Sequence, residues 1–296
     1  MFCPSCIPTL ALTVAAAGAA STAGLSALAL AWRRPARTAA PRDAHAPTLT
    51  PTPTPETDME TQTAVATRAE WLAARRALLA KEKEATRLRD AIAAERRALP
   101  LVRIDKAYEF EGPNGRTTLR ELFGPRSQLV VYHFMFGPTW EQGCASCSYV
   151  MDNIEGALVH LAAADTAFVA VSRAPLAKID AFKARLGWRF PWVSSGESDF
   201  NYDFHVTFDD ARGSMEYNYE SVAELRRRGE IPPKQTDMPG FSVFVRDGDE
   251  VFHSYSTYQR GVDTFLNTYN LLDLTPLGRN EQHPMQWVKH HDRYGM

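Results

Sequence analysis

The 296-residue chain has four cysteines and places all of them in two Cys-x-x-Cys pairs, Cys3/Cys6 and Cys144/Cys147. None is left for the scattered disulfide framework that staples small secreted domains, so paired thiols in a chain this long point to redox chemistry or metal binding. A basic excess is lacking too. With 33 Lys+Arg against 35 Asp+Glu the formal net charge is −2, which argues against nucleic acid as a partner, because a phosphate-tracking protein carries a basic excess. The remaining composition, 45% hydrophobic and 23% charged, is globular and sufficient for a sizeable core.

Charge is absent from the first 32 residues. Arg33 is the first charged side chain, and Arg34 and Arg37 follow it at once. Thr9 to Trp32 as a helix would be roughly 36 Å long, enough for a bilayer core of about 30 Å. The expectation is one transmembrane helix over residues 1–34. A cleaved signal peptide would carry its basic residues before the apolar segment. Here they come after it, which places the N-terminus outside and the rest of the chain in the cytoplasm. The alternative is a start at Met59, giving a soluble cytoplasmic protein. Residues 35–60, with APTLTPTPTPET, read as an extended Pro/Thr linker.

A long amphipathic helix is expected within 61–100. Thr67 with Glu70 has the form of a capping box, and Pro100 ends the pattern. Trp71, Leu78, Ala85, Ile92 and Leu99 recur every seven residues, either as a dimerisation stripe or, the favoured expectation, as a face packed along the helix's own domain. From Val102 short strands and turns take over. Residues 108–118 read as a hairpin, 129–136 as a buried strand, 145–164 as a helix, 167–171 as a second buried strand and 175–186 as a second helix. A hairpin over 241–255 and a helix over 262–272 close the pattern, and the last twenty-odd residues read as polar and irregular. Such a βαβα order makes a parallel sheet with helices on its faces.

Cys144 and Cys147 fall where the first buried strand passes into a helix. The first cysteine would meet free amides and the positive end of the helix dipole, which lower a thiol's pKa from about 8.5 to roughly 3.5–7.5. Cys144 is then the nucleophile and Cys147 the resolving thiol, with nearby Glu141 opposing the shift. Met238-Pro239-Gly240 stands directly before an apolar hairpin, where thioredoxin-like folds carry a cis-proline against the cysteine pair.

The stretches EWLAARRALLAKEKEATRLRD, YHFMFGPTW, GCASCS, VSRAPLAKI, LGWRFPWVSS, DFNYDF, FHSYSTYQRG and LDLTPLGR resemble the bacterial family catalogued as domain of unknown function 899, over about residues 69–294. The resemblance implies an α/β, thioredoxin-like fold with a peroxiredoxin-like elaboration over 101–296, and assigns no activity. The opening MFCPSC and its small-residue helix resemble short bacterial membrane proteins that begin Cys-Pro-x-Cys, so the expected location is the bacterial inner membrane.

The leading expectation is a thiol–disulfide oxidoreductase or thiol-dependent reductase without a cofactor, acting on a protein or small-molecule disulfide. Peroxide reduction is disfavoured, because the peroxiredoxin motif places threonine three residues before its cysteine. Here that place holds Glu141, and Thr139 is five before Cys144. Metal binding is the alternative: Cys144 and Cys147 supply half of a zinc or copper(I) site that His133 or His253 could complete. A non-catalytic binding module is the third. Trp140 could shield the pair, and Arg173, at the carboxyl edge of the sheet, could contact a substrate anion. Asp152 is a candidate proton acceptor for Cys147. The 188–192 and 199–203 aromatics read as core, and His290-His291-Asp292 as a solvated tail.

Overall fold

The computed structural model describes residues 64–295 apart from 197 and 214. The expected transmembrane helix, the Cys3/Cys6 pair and the Pro/Thr linker lie outside the described residues. Among the described residues no helix is long and apolar enough to cross a membrane.

The first element, α1 (Arg68–Arg97), opens on the expected capping box. The Thr67 hydroxyl accepts the Glu70 amide, and the Glu70 carboxylate accepts the Thr67 amide at 2.9 Å. None of its residues is buried. Trp71 is 48% and Leu78 51% exposed, so the stripe expected to pack along its own domain does not do so. Charged residues fill the turns between the apolar ones, and so narrow a stripe offers little area to repay docking.

The chain then forms β1 (Val102–Arg103), β2 (Glu109–Gly112), β3 (Gly115–Thr118), β4 (Gln128–His133), α2 (Ala145–Ile154), α3 (Leu158–Ala163), β5 (Thr166–Ser172), α4 (Leu176–Arg185), β6 (Trp192–Ser194), α5 (Phe200–Asp203), β7 (Glu216–Tyr217), β8 (Glu220–Ser221), α6 (Val222–Arg227), β9 (Gly240–Asp247), β10 (Glu250–Tyr258) and α7 (Asn267–Leu272). The main sheet runs β1-β10-β9-β4-β5-β6-β2-β3. β4 pairs parallel with β5, and β5 with β6. β9 pairs antiparallel with both β4 and β10. The four strands β5-β4-β9-β10, with α2 following β4 and α4 following β5, form the mixed sheet of a thioredoxin-like fold.

β4 and β5 are apolar through their centres, 129–132 and 167–171, because both sheet faces are covered there. Even-numbered Tyr132 and Phe134 enter the core that holds Cys147, Phe182 and Trp192. Odd-numbered Leu129 and Val131 enter the opposite core with Phe200 and Phe204. This alternation fixes which residues can meet the cysteines.

Three local expectations change. The helix expected over 145–164 is interrupted by a 3-10 turn at Glu155–Ala157, where Gly156 weakens the ladder. The helix expected over 262–272 is a 3-10 stretch, Gln259–Phe265, followed by α7. Between α5 and β9, the elements β7, β8 and α6 build a small core of Phe208, Tyr217, Val222 and Leu225. The bond before Pro239 is trans, as are all peptide bonds of the described residues. Here the Thr207–Asp237 bridge and the Met238 amide on the Val206 carbonyl hold the approach to Pro239 extended, so the turn that would need the cis form is absent.

Candidate active site

Cys144 is the N-cap of α2, and its carbonyl accepts the Ser148 amide at 2.9 Å and the Ser148 hydroxyl at 2.9 Å. Its own amide turns back to the Met135 carbonyl at 3.1 Å, closing the loop from β4. Both cysteines are free thiols, Cys144 half-buried and Cys147 buried.

The two thiols are driven apart in acidity. Cys144 is lowered to about 7, first by the hydrogen bond from the Cys147 thiol and then, against the cost of burial, by the Cys147 and Ser146 amides and the Ser146 hydroxyl. Burial pushes Cys147 well above the ordinary thiol range, reinforced by its bond to Cys144, while Tyr132 and the Met135 backbone pull the other way. Around neutral pH Cys144 is therefore partly thiolate, while the buried Cys147 holds its proton.

The loop that carries Cys144 lies flat on the core. A Cβ at Gly143 would stand 2.7 Å from the Phe134 ring and 2.8 Å from the Phe182 ring. The Gly143 carbonyl accepts His290 Nε2 at 2.9 Å. Arg185 ties the same region together: it donates to Gln142 at 3.1 Å and to both oxygens of Asp292, and meets His290 Nδ1 at 2.9 Å. The C-terminal segment expected to be solvated is therefore docked on the cysteine loop, and His290 is only 8% exposed.

Trp140 is half-buried on that loop, its indole covering Gly137, and packs against the core that includes Cys147. Glu141 turns away: its side chain is 91% exposed and paired with Lys178 at 3.4 Å, and it is not among the groups that shift Cys144. Asp152 accepts from the Trp188 indole at 2.7 Å and meets His291 at 2.8 Å, so it is part of the C-terminal dock and does not serve Cys147. Arg173 faces buried Asp237 at 3.6 Å and the Tyr202 ring at 5.3 Å, beside the approach to Pro239. The Pro239 carbonyl accepts the Tyr217 hydroxyl at 2.8 Å.

The ligand set of the metal alternative is not assembled. His133 is an odd-numbered β4 residue and stacks on Phe204 at 6.0 Å in the opposite core. It joins Ser242, Ser256 and His253 in a buried chain of 2.8 Å contacts, so His253 is committed to that chain as well. Among the described residues no cluster of three or more His, Cys, Asp or Glu could hold a metal ion. A groove between Lys106, Tyr108, Glu111 and Asp199 lies at the β2–β6 edge and includes neither cysteine.

Sequence reasoning missed Tyr132, Ser146, Gly143 and His290. The strict alternation along β4 was available as a signal for Tyr132, because it places 132 and 134 on one face and 133 on the other. His290 gave none, since its contacts are all long-range.

Topology and site together define a thioredoxin-like α/β domain with a Cys-x-x-Cys pair at the start of the helix that follows its first core strand. The chain belongs to the family described as "Bacterial protein of unknown function (DUF899)", whose model matches residues 60–294. No curated protein matches it. Among solved structures it is similar to Xanthomonas campestris bacterioferritin comigratory protein, described with alkyl peroxide reduction activity, at 18% identity over 54% of this chain and 88% of that one, TM-score 0.34. It is similar also to Mycobacterium tuberculosis peroxidoxin BcpB, at 14% identity over 57% and 94%, TM-score 0.35. A secreted Mycobacterium tuberculosis disulfide oxidoreductase homologous to E. coli DsbE aligns at 14% identity over 54% and 92%, TM-score 0.29.

Proposed function

We propose that the protein is a thiol–disulfide oxidoreductase that reduces a protein or small-molecule disulfide through Cys144 and Cys147. The observation that carries this reading is the placement of the pair: Cys144 caps α2 half-buried and Cys147 lies buried one turn behind it, an arrangement that lowers the first thiol and raises the second. A thiolate attacks best when its pKa is near the ambient pH, and a resolving thiol must stay protonated until the mixed disulfide forms. Peroxide fits less well, because no hydroxyl stands three residues before Cys144 and Glu141 there faces solvent.

The reading predicts a Cys144–Cys147 disulfide that dithiothreitol reduces reversibly, and insulin reduction that Cys144→Ser abolishes. Alkylation of Cys144 should rise with pH around 7, following thiolate formation. A pair that stays dithiol under mild oxidant would refute the proposal.

A further inference from the structure

Tyr132 contributes a buried hydroxyl that the fold leaves without a task. It is 0% exposed and completes no hydrogen bond. A buried donor left unpaired is costly, and each such group in a folded protein needs an explanation. The ring is fixed by Phe241 at 4.6 Å and Phe134 at 6.0 Å. Tyr132 lies in the buried core that holds Cys147, with Cys144 packed against that core, and charge on either thiol or on Tyr217 would be felt at its hydroxyl. Tyr217 is engaged elsewhere, donating to the Pro239 carbonyl and accepting the Gln259 amide. That leaves Tyr132 as a buried donor without a partner in the core that holds Cys147.

We propose that Tyr132 is a catalytic residue of this site: its hydroxyl donates a hydrogen bond to the Cys147 sulfur as that sulfur becomes a thiolate and attacks the mixed disulfide on Cys144. The inference rests on the thiol–disulfide reading above and extends it to the second step. In the first step the Cys144 thiolate attacks a substrate R–S–S–R′, forming Cys144–S–S–R and releasing R′–S⁻. Cys147 thereby loses the thiolate to which its S–H had donated. In the second step Cys147 gives up its proton, its sulfur bonds to the Cys144 sulfur, and R–S⁻ leaves and takes a proton. Two electrons pass from the dithiol to the substrate, and the protein ends as the disulfide. The second step builds negative charge on a sulfur that is 1% exposed, where no solvent can stabilise it and the Tyr132 hydroxyl can.

Mixing the reduced protein with one equivalent of 5,5′-dithiobis(2-nitrobenzoate) separates the steps. The first nitrothiobenzoate anion reports attack by Cys144 and the second reports attack by Cys147. A hydrogen bond to a charged acceptor shifts an ionisation constant by about ten- to a hundredfold. About half of that shift, in logarithm, is returned because a more basic thiolate is a better nucleophile. Tyr132→Phe should therefore leave the first release unchanged and slow the second about three- to tenfold at neutral pH, moving its pH profile upward. The variant removes only an oxygen that no protein group satisfies, so circular dichroism should match the wild type. Tyr149→Phe deletes another buried hydroxyl with no partner, on α2 against Tyr269 and Trp287, and should leave both releases unchanged. A second release that Tyr132→Phe does not slow, or that Tyr149→Phe slows equally, overturns the role of Tyr132 while the redox pair stands. A wild-type protein that never makes the second release overturns the redox reading, and the role with it.

Discussion

His133 shows how one register position decides a side chain's chemistry. Had β4 been shifted by a single residue, its imidazole would face Cys147; instead it packs against Phe200 and Phe204, at 5.5 and 6.0 Å. Burial, with the neighbouring His253, lowers its pKa from 6.5 to about 3. The unfolded chain takes up a proton near 6.5 and the folded protein only near 3, so stability is full above pH 6.5 and declines as pH falls from 6.5 toward 3. Each tenfold change in an ionisation constant is worth about 1.4 kcal/mol, so the loss is of order a few kcal/mol. His133→Gln keeps a donor toward Ser242 and cannot titrate. Denaturant unfolding at several pH values should show a shallower decline in the variant through this window. Equal slopes would mean that His133 does not set the acid limb.

At the scale of elements, the loop between β4 and α2 is held by fit on one side and by the C-terminal segment on the other. Gly143→Ala drives a methyl into the Phe134 and Phe182 rings, which sit in a packed aromatic cluster and have little room to yield. Overpacking of this kind costs about 1–3 kcal/mol, and any displacement also strains the Gly143–His290 bond. Unfolding free energy should fall by that amount, whereas Gly156→Ala, whose Cβ meets nothing within 4 Å, should lose none. The comparison fails if both variants behave alike. The elements themselves were largely legible. β4 and β5 announced themselves as unbroken apolar runs, and Thr67 with Glu70 marked the start of α1. What could not be read was long-range: β2 and β3 join the sheet beyond β6, through the Glu111–Ser194 pair, and His290 reaches Gly143 across 147 positions of sequence. Polar residues near a chain end carry no periodic pattern that would separate a docked segment from a solvated one. The site was legible to the same extent: spacing and a strand-to-helix junction gave Cys144 and Cys147, while Tyr132 was hidden inside an apolar run and Pro239 kept its place but not the expected isomer.

For the whole molecule, α1 raises the question of what the domain needs in order to stand. A 30-residue helix is well past the length of about 12–15 at which isolated helices become marginal, and its capping box secures one end without help from the domain. Its contact with the sheet is slight: Arg96 lies over the Tyr255 ring at 5.2 Å, an exposed cation–π pair worth about 0.5–1 kcal/mol. The domain has cores on both faces of its sheet that contain no α1 residue. A chain of residues 99–296 should therefore unfold within about 1 kcal/mol of a chain of residues 64–296, with the helical circular dichroism of α1 lost and the Cys144–Cys147 reaction unchanged. A loss of several kcal/mol would show that the Trp71–Leu78–Ile92 stripe lies on the domain in solution. An unchanged domain would show that whatever α1 does, it does by projecting from the thioredoxin-like domain and not by completing its fold.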